Sequence, residues 1–180
     1  MTGISDSTTI EELAALVSEA LSRAGITAVL SGGGAVQIYT SGMYVSRDLD
    51  FVSPASVREL SAAVRALGFA RTAGRHFVHP ECRFTLEFPP WPLAVGSQLV
   101  REWAEQKVAY GVIQMLSPTQ CVMDRLAAYY FWKDRQALDQ AVAVARTHGA
   151  DQVEIQRWSE SEGRLAEFRE FVRALQQTDG

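Results

Sequence analysis

Apolar residues recur at helical spacing over residues 10–21, which predicts a first helix. The preceding Thr8-Thr-Ile-Glu11 is typical of a capping box, with Thr8 as the N-cap and Glu11 reaching back to it. Short apolar runs rich in β-branched residues then predict one strand over 26–30 and a second over 47–52. The chain therefore begins with a helix and two strands.

Strands and helices continue to alternate as far as residue 116. Three glycines and a helix over 35–44 separate the first two strands, and Pro54 opens another helix that ends near Gly68. The run Pro89-Pro-Trp-Pro92 must leave the sheet, because proline cannot donate to a strand ladder. The remaining patterns predict three more strands, over 69–78, 83–88 and 107–116.

The last third of the chain has only helix signals. Ser117-Pro118 with Gln120 predicts a capped helix start, and the plausible caps and breaks farther along are Asp134, His148-Gly149 and Asp151. We therefore expect an α/β (α+β) fold. A mixed sheet flanked by helices would occupy residues 1–116, and a C-terminal helical region over 117–180 would pack on it.

Composition narrows the class of protein. The chain has 180 residues and a net charge of -4, and its pI is about 5.4. Proteins that coat nucleic acid are usually basic, so the negative net charge argues against a long nucleic-acid partner. No apolar run approaches the ~20 residues of a membrane span, and the first residues do not resemble a signal peptide. A cytoplasmic location, without membrane contact, is the expectation. Cys82 and Cys121 lack metal-ligand spacing, which indicates buried thiols.

The glycine run Gly32-Gly33-Gly34 joins a predicted strand to a predicted helix. Such a turn can hold phosphate, because glycines let the backbone approach a ligand and the helix N-terminus offers free N–H groups. The three glycines are therefore candidate nucleotide contacts. The run lacks the lysine of a P-loop and the spacing of a dinucleotide fingerprint, so an ordinary tight turn is the alternative.

Three acidic residues in the predicted strands are candidates for a metal site. Asp48 and Asp50 are two apart and share a strand face, while Leu49 between them faces the core. Two adjacent carboxylates repel each other without a cation between them, and oxygen ligands on a strand suit Mg²⁺. Glu87 joins them if its strand lies beside theirs. The alternatives are a solvated strand edge with an Arg47 salt bridge and a surface position for Glu87.

Two segments together resemble the signature of polymerase-β-superfamily nucleotidyltransferases, and in particular small prokaryotic MNT-type and AbiEii-type members. These segments are Val29-Leu-Ser-Gly-Gly-Gly-Ala-Val36 and Ser46-Arg-Asp-Leu-Asp-Phe-Val52. The resemblance covers about residues 26–88. It implies Gly32 and Gly33 at the phosphate turn, Asp48 and Asp50 as metal ligands, and Glu87 as the third carboxylate.

The chain departs from the family pattern at two points. Gly34 stands where a hydroxyl residue is common, and the basic residue expected near Met123 on a later helix is missing. Arg125 and Lys133 are the candidates to lie over the nucleotide phosphates, with a solvated helix face as the alternative. Adjacent helix positions point about 100° apart, so no ion pair is expected between Asp124 and Arg125. None of the three histidines is assigned a catalytic role.

The expected activity is metal-dependent transfer of a nucleotidyl group from an NTP to a hydroxyl of RNA, protein or a small molecule. Mg²⁺ or Mn²⁺ would be the cofactor, held by Asp48, Asp50 and Glu87, and Glu87 could also act as base toward the acceptor. The alternative is a catalytically degenerate domain that binds a nucleotide or a partner, either another protein or a second copy of the chain. A role in a toxin–antitoxin pair rests on the resemblance alone.

Overall fold

Residues 3–177, which the computed structural model describes, form seven helices and nine strands. The helices α1–α7 are Ile10–Arg23, Gly32–Tyr39, Val57–Arg65, Pro118–Trp132, Arg135–His148, Gln152–Ser161 and Leu165–Gln176. The strands β1–β9 are Val29–Ser31, Asp48–Val52, Ala70–Arg71, His76–His79, Cys82–Glu87, Ala94–Val95, Gln98–Leu99, Ala104–Val108 and Gly111–Met115. None of these helices combines the length and apolar character needed to span a membrane.

Seven strands form one mixed sheet in the order β3-β4-β5-β2-β1-β9-β8. The pairs β1–β9 and β2–β5 are parallel, and the other neighbours are antiparallel. The strands β6 and β7 form a separate hairpin. Helix α1 contacts β8 and β9, and α2 contacts β1 and β2. The predicted mixed α/β sheet with flanking helices is confirmed.

The C-terminal helices pack on the sheet and share its core. One cluster of buried residues includes Leu30 and Phe51 from the sheet together with Leu126 and Val144 from the helices. The Tyr39 hydroxyl donates to the Leu116 carbonyl at 2.7 Å. The predicted C-terminal helical region is therefore confirmed, whereas a domain boundary at residue 116 stays a prediction.

Capping signals placed the starts of three helices, α4, α5 and α6, correctly. Ser117 and Gln120 form the predicted capping box at 3.2 and 2.9 Å, and Asp134 and Asp151 cap the next two helices. The predicted cap of α1 is wrong by one residue. Thr9 accepts the Glu12 N–H at 3.2 Å, because the Thr8 hydroxyl is turned back to accept the Ser5 N–H.

Several element boundaries differ from the prediction. Helix α2 begins at Gly32 rather than residue 35, so the glycines form its first turn. It ends at Tyr39, because Ser41 and Gly42 take positive φ values of 50° and 84°. The helix predicted from Pro54 starts only after its cap, Ser56.

Two predicted strands are each split in the structure. A turn with Gly74 at φ 52° divides the strand predicted over 69–78 into β3 and β4. The strand predicted over 107–116 is a hairpin of β8 and β9 that begins at Ala104. Both cysteines are free thiols, but only Cys121 is buried, and Cys82 is half-buried.

We expect Tyr39→Phe to destabilise the protein, because it removes the buried hydroxyl that satisfies the Leu116 carbonyl. The loss in free energy of unfolding should be about 1–2 kcal/mol, measured by urea denaturation. Tyr110→Phe is the matched control, since Tyr110 is 49% exposed. Equal effects of the two substitutions would contradict the role assigned to the Tyr39 hydroxyl.

Candidate functional site

An open cleft of about 330 Å³ lies where β1 runs into α2. Its floor includes Ser31, Gly32 and Asp50, and helix α4 contributes Asp124 and Arg125. The remaining lining residues come mainly from the segment after β5, and they are Val52, Pro89, Pro90, Pro92, Leu93, Ala94 and Leu116. The cleft thus lies between the sheet, the start of α2 and the side of α4.

Strand register places four polar residues in one row across the sheet. Ser31 pairs with Asp50 on β2, Asp50 pairs with Glu87 on β5, and Glu87 pairs with His76 on β4. Paired residues on neighbouring strands point to the same face of a sheet. Glu87 therefore lies on the same sheet face as Asp50. The site predicted from the sequence required this if Glu87 was to act together with Asp48 and Asp50.

Asp50 lies in an environment that disfavours its negative charge. Its pKa is raised to about 6, with burial as the largest cause and the carboxylates of Glu87 and Asp48 as further causes. The Arg125 guanidinium acts in the opposite direction. An acid held under these conditions indicates a position where a cation or a positively charged ligand would be stabilised.

The three predicted carboxylates differ in their partners. The Thr85 hydroxyl donates to Oδ1 of Asp48, and Oε1 of Glu87 lies 3.3 Å from Nε2 of His76. No group within residues 3–177 donates a hydrogen bond to the Asp50 carboxylate. Asp50 is therefore the acid whose oxygens remain available to a ligand.

The donor atoms suit a divalent cation, since carboxylate oxygens on neighbouring strands are ligands that Mg²⁺ accepts. However, no three His, Cys, Asp or Glu side chains in the described part of the chain are arranged to hold one ion. Glu87 lies on the correct face, yet it contacts His76. The assignment of Asp48, Asp50 and Glu87 as a common ligand set stays a prediction.

Gly32 is required by its contact with Asp50. Its φ is +64°, and a Cβ at this position would lie 2.6 Å from Oδ2 of Asp50. A Cβ on Gly33 would lie 3.1 Å from the Ser46 hydroxyl. Gly34 is buried against the Asp48 carbonyl and Leu30. Of the three glycines, Gly32 lines the cleft.

The start of α2 offers backbone donors to an anion. Ser31 is its N-cap, but its side chain does not cap the helix, and the first turn contains no acidic residue. Its hydroxyl instead donates to the Asp50 carbonyl at 3.3 Å. A helix N-terminus without a capping side chain leaves N–H groups and a partial positive charge for a bound anion.

Arg125 supplies positive charge in the cleft. Its Nη2 and Nε lie 2.6 and 3.1 Å from Oδ2 of Asp124. The expectation of no ion pair between these neighbours was wrong, because the long arginine side chain bends back toward the aspartate. Burial, the largest single cause, acts to lower the pKa of Arg125, but Asp124 together with Cys121 and Asp50 outweighs it and the pKa is raised. Met123, near which the basic residue was expected, is a core residue.

Lys133 is not among the residues that line the cleft. It forms the C-cap of α4 and lies about 12 Å along the helix axis from Arg125. Its Nζ is 3.1 Å from Oε1 of Glu167 on α7. The structure thus brings Arg125, but not Lys133, to the acidic row.

Sequence reasoning missed three parts of the site. Asp124 was considered only as the helix neighbour of Arg125, and His76 was assigned no catalytic role. Residues 89–92 were predicted to leave the sheet, but residues of the segment 89–94 were not predicted to line a wall of the cleft. The sequence did contain a signal for this wall, because the prolines directly follow the strand that ends at Glu87 and so begin next to the acidic row.

The wall is fixed to the sheet by backbone contacts. The Ser53 N–H donates to the Pro89 carbonyl at 3.1 Å. The Arg75 guanidinium donates to the carbonyls of Ser53 and Ala55, both at 3.1 Å, and to that of Phe88. These bonds hold the start of the proline segment beside the end of β2.

We expect Asp50→Asn to stabilise the protein at neutral pH in the absence of metal. An acid whose pKa is raised on folding contributes most stability below its unfolded pKa, and this contribution is lost as pH rises through its folded pKa. The window therefore runs from 3.8 to about 6. Above it the variant should be more stable by about 3 kcal/mol, and below it the difference should vanish.

Urea denaturation in EDTA at several pH values measures this difference. Asp139→Asn, an exposed acid on α5 outside the cleft, is the control and should show no such pH dependence. A wild type as stable as Asp50→Asn at neutral pH would show that the Asp50 carboxylate is not destabilised.

We expect Gly32→Ala to be more destabilising than Gly25→Ala. Both glycines have φ near +65°, at 64° and 69°, but a Cβ at Gly25 meets nothing within 4 Å. The left-handed conformation costs each variant about 1 kcal/mol, and the contact with Asp50 adds to this only at Gly32. The added cost should disappear in an Asp50→Ala background, which removes Oδ2. If it persists in that double mutant, the contact is not its cause.

Comparisons with known proteins identify the fold. No protein-family model and no curated protein matches the chain. Two solved structures do. The solution structure of the antibiotic-resistance factor ANT(2'')-Ia is 19% identical with a TM-score of 0.55, covering 94% of this chain and 96% of that one. The crystal structure of ANT(2'')-Ia in complex with adenylyl-2''-tobramycin is 18% identical with a TM-score of 0.54, covering 89% and 97%.

The likeness extends over nearly the whole of both chains, so it includes the C-terminal helices as well as the sheet. The finer resemblance to MNT-type and AbiEii-type proteins stays a prediction. The chain has a nucleotidyltransferase-like fold, that of ANT(2'')-Ia.

Proposed function

We propose that the protein transfers a nucleotidyl group from an NTP to a hydroxyl of a small molecule. The observation that supports this most is the meeting of Asp50, Gly32 and Arg125 in one cleft, with Glu87 beside Asp50 on the same sheet face. The fold likeness to ANT(2'')-Ia, which was crystallised with adenylyl-2''-tobramycin, is consistent with this reaction.

The phosphates would lie between the start of α2 and α4. The uncapped first turn of α2 offers N–H donors at Gly32 and Gly33, and Arg125 offers a guanidinium on the opposite wall. Backbone donors at a helix N-terminus and arginine are both established phosphate ligands. Two positive poles on facing walls would hold a triphosphate in a defined orientation.

Asp48 and Asp50, with Glu87 as the third carboxylate, would hold Mg²⁺ or Mn²⁺. When bound, the metal would neutralise phosphate charge and favour ionisation of the acceptor hydroxyl. The chain's own contribution is a half-buried carboxylate, Asp50, to which no donor within residues 3–177 gives a hydrogen bond. Gly32, by lacking a side chain, leaves the space around Oδ2 of Asp50 open.

Glu87 would accept the proton of the acceptor hydroxyl. The hydroxyl oxygen forms a bond to the α-phosphorus, the bond to the oxygen bridging the α- and β-phosphorus atoms breaks, and pyrophosphate leaves with its electron pair. Glu87 is suited to this role by its place beside Asp50 in the row and by its partial exposure, 39%.

The charge of the cleft rim favours a small cationic acceptor. The carboxylates of Asp48, Glu87 and Asp124 all act on Asp50, and among the described residues that line the cleft Arg125 supplies the guanidinium. A negative rim would attract a polyamine or amino sugar and repel an RNA backbone. Tobramycin is the first acceptor to test, because its adenylyl derivative binds the structurally similar ANT(2'')-Ia.

The alternative is a domain that binds nucleotide without transferring it. The contact of Glu87 with His76 favours this alternative, because it engages the predicted base. The roles in a toxin–antitoxin pair, with a partner protein or as a homodimer, stay predictions.

The decisive experiment is transfer of label from ATP carrying radioactive α-phosphate to tobramycin and to a panel of hydroxylated cations, with and without Mg²⁺. Asp50→Asn and Asp48→Asn should lower the transfer rate by at least about 100-fold, as expected when the metal and its charge are lost. Asp139→Asn, outside the cleft, should retain the wild-type rate.

Binding of MgATP, followed by thermal shift, separates the outcomes. Binding without transfer to any acceptor would favour the non-catalytic alternative. A wild type that neither binds MgATP nor transfers label would show that the proposed function is wrong.

A further inference from the structure

We propose that Trp91 is the stacking surface for the nucleobase of the bound nucleotide, an inference that rests on the proposed function. Trp91 lies in the sequence between Pro90 and Pro92, both of which line the cleft, whereas Trp91 itself is not among the lining residues. It is a large aromatic residue, yet 39% of it is exposed. None of the contacts assigned above to phosphate, metal or acceptor uses it.

The ring is held in place by a second tryptophan. Trp91 and Trp103 meet edge to face, with centroids 6.2 Å apart and planes at 80°. The Trp103 Nε1 donates to Oε1 of Gln114 on β9 at 2.8 Å. The Gln114 amide in turn donates to Glu105 on β8 at 2.8 Å. Trp91 is therefore supported from the sheet while much of it remains open to a ligand.

Trp91 lies over the same sheet face as the acidic row. Leu30 pairs with Phe51 on β2 and with Met115 on β9, and all three are buried on the core face. Because side chains alternate along a strand, their neighbours Asp50 and Gln114 point to the opposite face. Through Trp103 and Gln114, Trp91 is tied to that face.

The order of the strands decides which substrate meets Trp91. From one edge inward, β4 and β5 bring His76 and Glu87, and β2 brings Asp50. Beyond them, β1 leads to Gly32, and β9 brings Gln114. If Glu87 faces the acceptor, the nucleotide extends the other way, over β1 and β9. That direction passes Gly32 and leads to Gln114, which Trp103 joins to Trp91.

The chemistry of the ring suits a base rather than the acceptor. Every nucleobase has a π-face, and stacking on an exposed aromatic side chain stabilises it without requiring a particular base. A cationic acceptor would be attracted to the carboxylates on the other side of Asp50. Trp91 would therefore favour NTPs over free polyphosphates, with modest discrimination among the bases.

Two Trp91 variants and two ligands test the proposal by isothermal titration calorimetry. MgATP carries the base, whereas magnesium tripolyphosphate carries only the phosphates. Trp91→Leu should weaken MgATP binding about 10-fold and leave tripolyphosphate binding within about 2-fold. Trp91→Phe should restore most of the MgATP affinity, because phenylalanine, like tryptophan, offers an aromatic face to the base. Trp132→Leu is the control, since Trp132 is 83% exposed at the end of α4.

The outcomes separate this inference from the proposed function. Stacking is supported if the wild type binds both ligands and Trp91→Leu loses affinity for MgATP alone. Equal losses for both ligands, or no loss for either, would overturn it while leaving nucleotide binding intact. If Trp91→Phe does not recover the affinity for MgATP, stacking is also overturned, because an aromatic ring at this position would then not account for the binding. Wild type that binds neither ligand overturns the proposed function and the inference with it.

Discussion

The close contact between Gly32 and Asp50 is the constraint on which the rest of the site depends. A carboxylate oxygen lies so near the backbone at the start of α2 that no side chain fits there. The contact joins the helix that offers N–H donors to the strand that offers carboxylates. Positive and negative poles are therefore placed side by side, which is the arrangement that a phosphate and its counter-ion require. Ser31 strengthens it by donating to the Asp50 carbonyl.

Local patterns were sufficient to predict much of this arrangement. Alternation along Asp48-Leu-Asp-Phe51 placed Leu49 and Phe51 in the core and the acids on the other face, as the structure has them. The glycines predicted the junction of a strand and a helix, although they form the first turn of α2 rather than a turn before it. Serine and aspartate caps located the later helices, because a capping side chain acts on backbone groups only three residues away. The mixed sheet and the helical region followed from the order of these elements.

Long-range contacts account for what the sequence did not predict. The pairing of β5 beside β2 joins residues 37 positions apart, such as Asp48 and Thr85, and no local signal determines it. The ion pair of Asp124 and Arg125 depends on the rotamer of a flexible side chain, which helical spacing does not describe. The turn between β8 and β9 has no proline or asparagine, and Gly111 comes only after it. The cleft wall depends on Arg75, whose carbonyl partners lie on two other segments.

The tie between Tyr39 and the C-terminal helices has a consequence for how the molecule can be divided. Tyr39 ends the helix that begins at the cleft, and its hydroxyl and carbonyl contact Leu116 and His148. The ring of His148 also packs edge to face on that of Tyr39, with centroids 4.8 Å apart. The helical half is therefore not an interchangeable module. A chimera that exchanged it for the helices of another protein would also have to match the far end of α2, the helix that begins at the cleft.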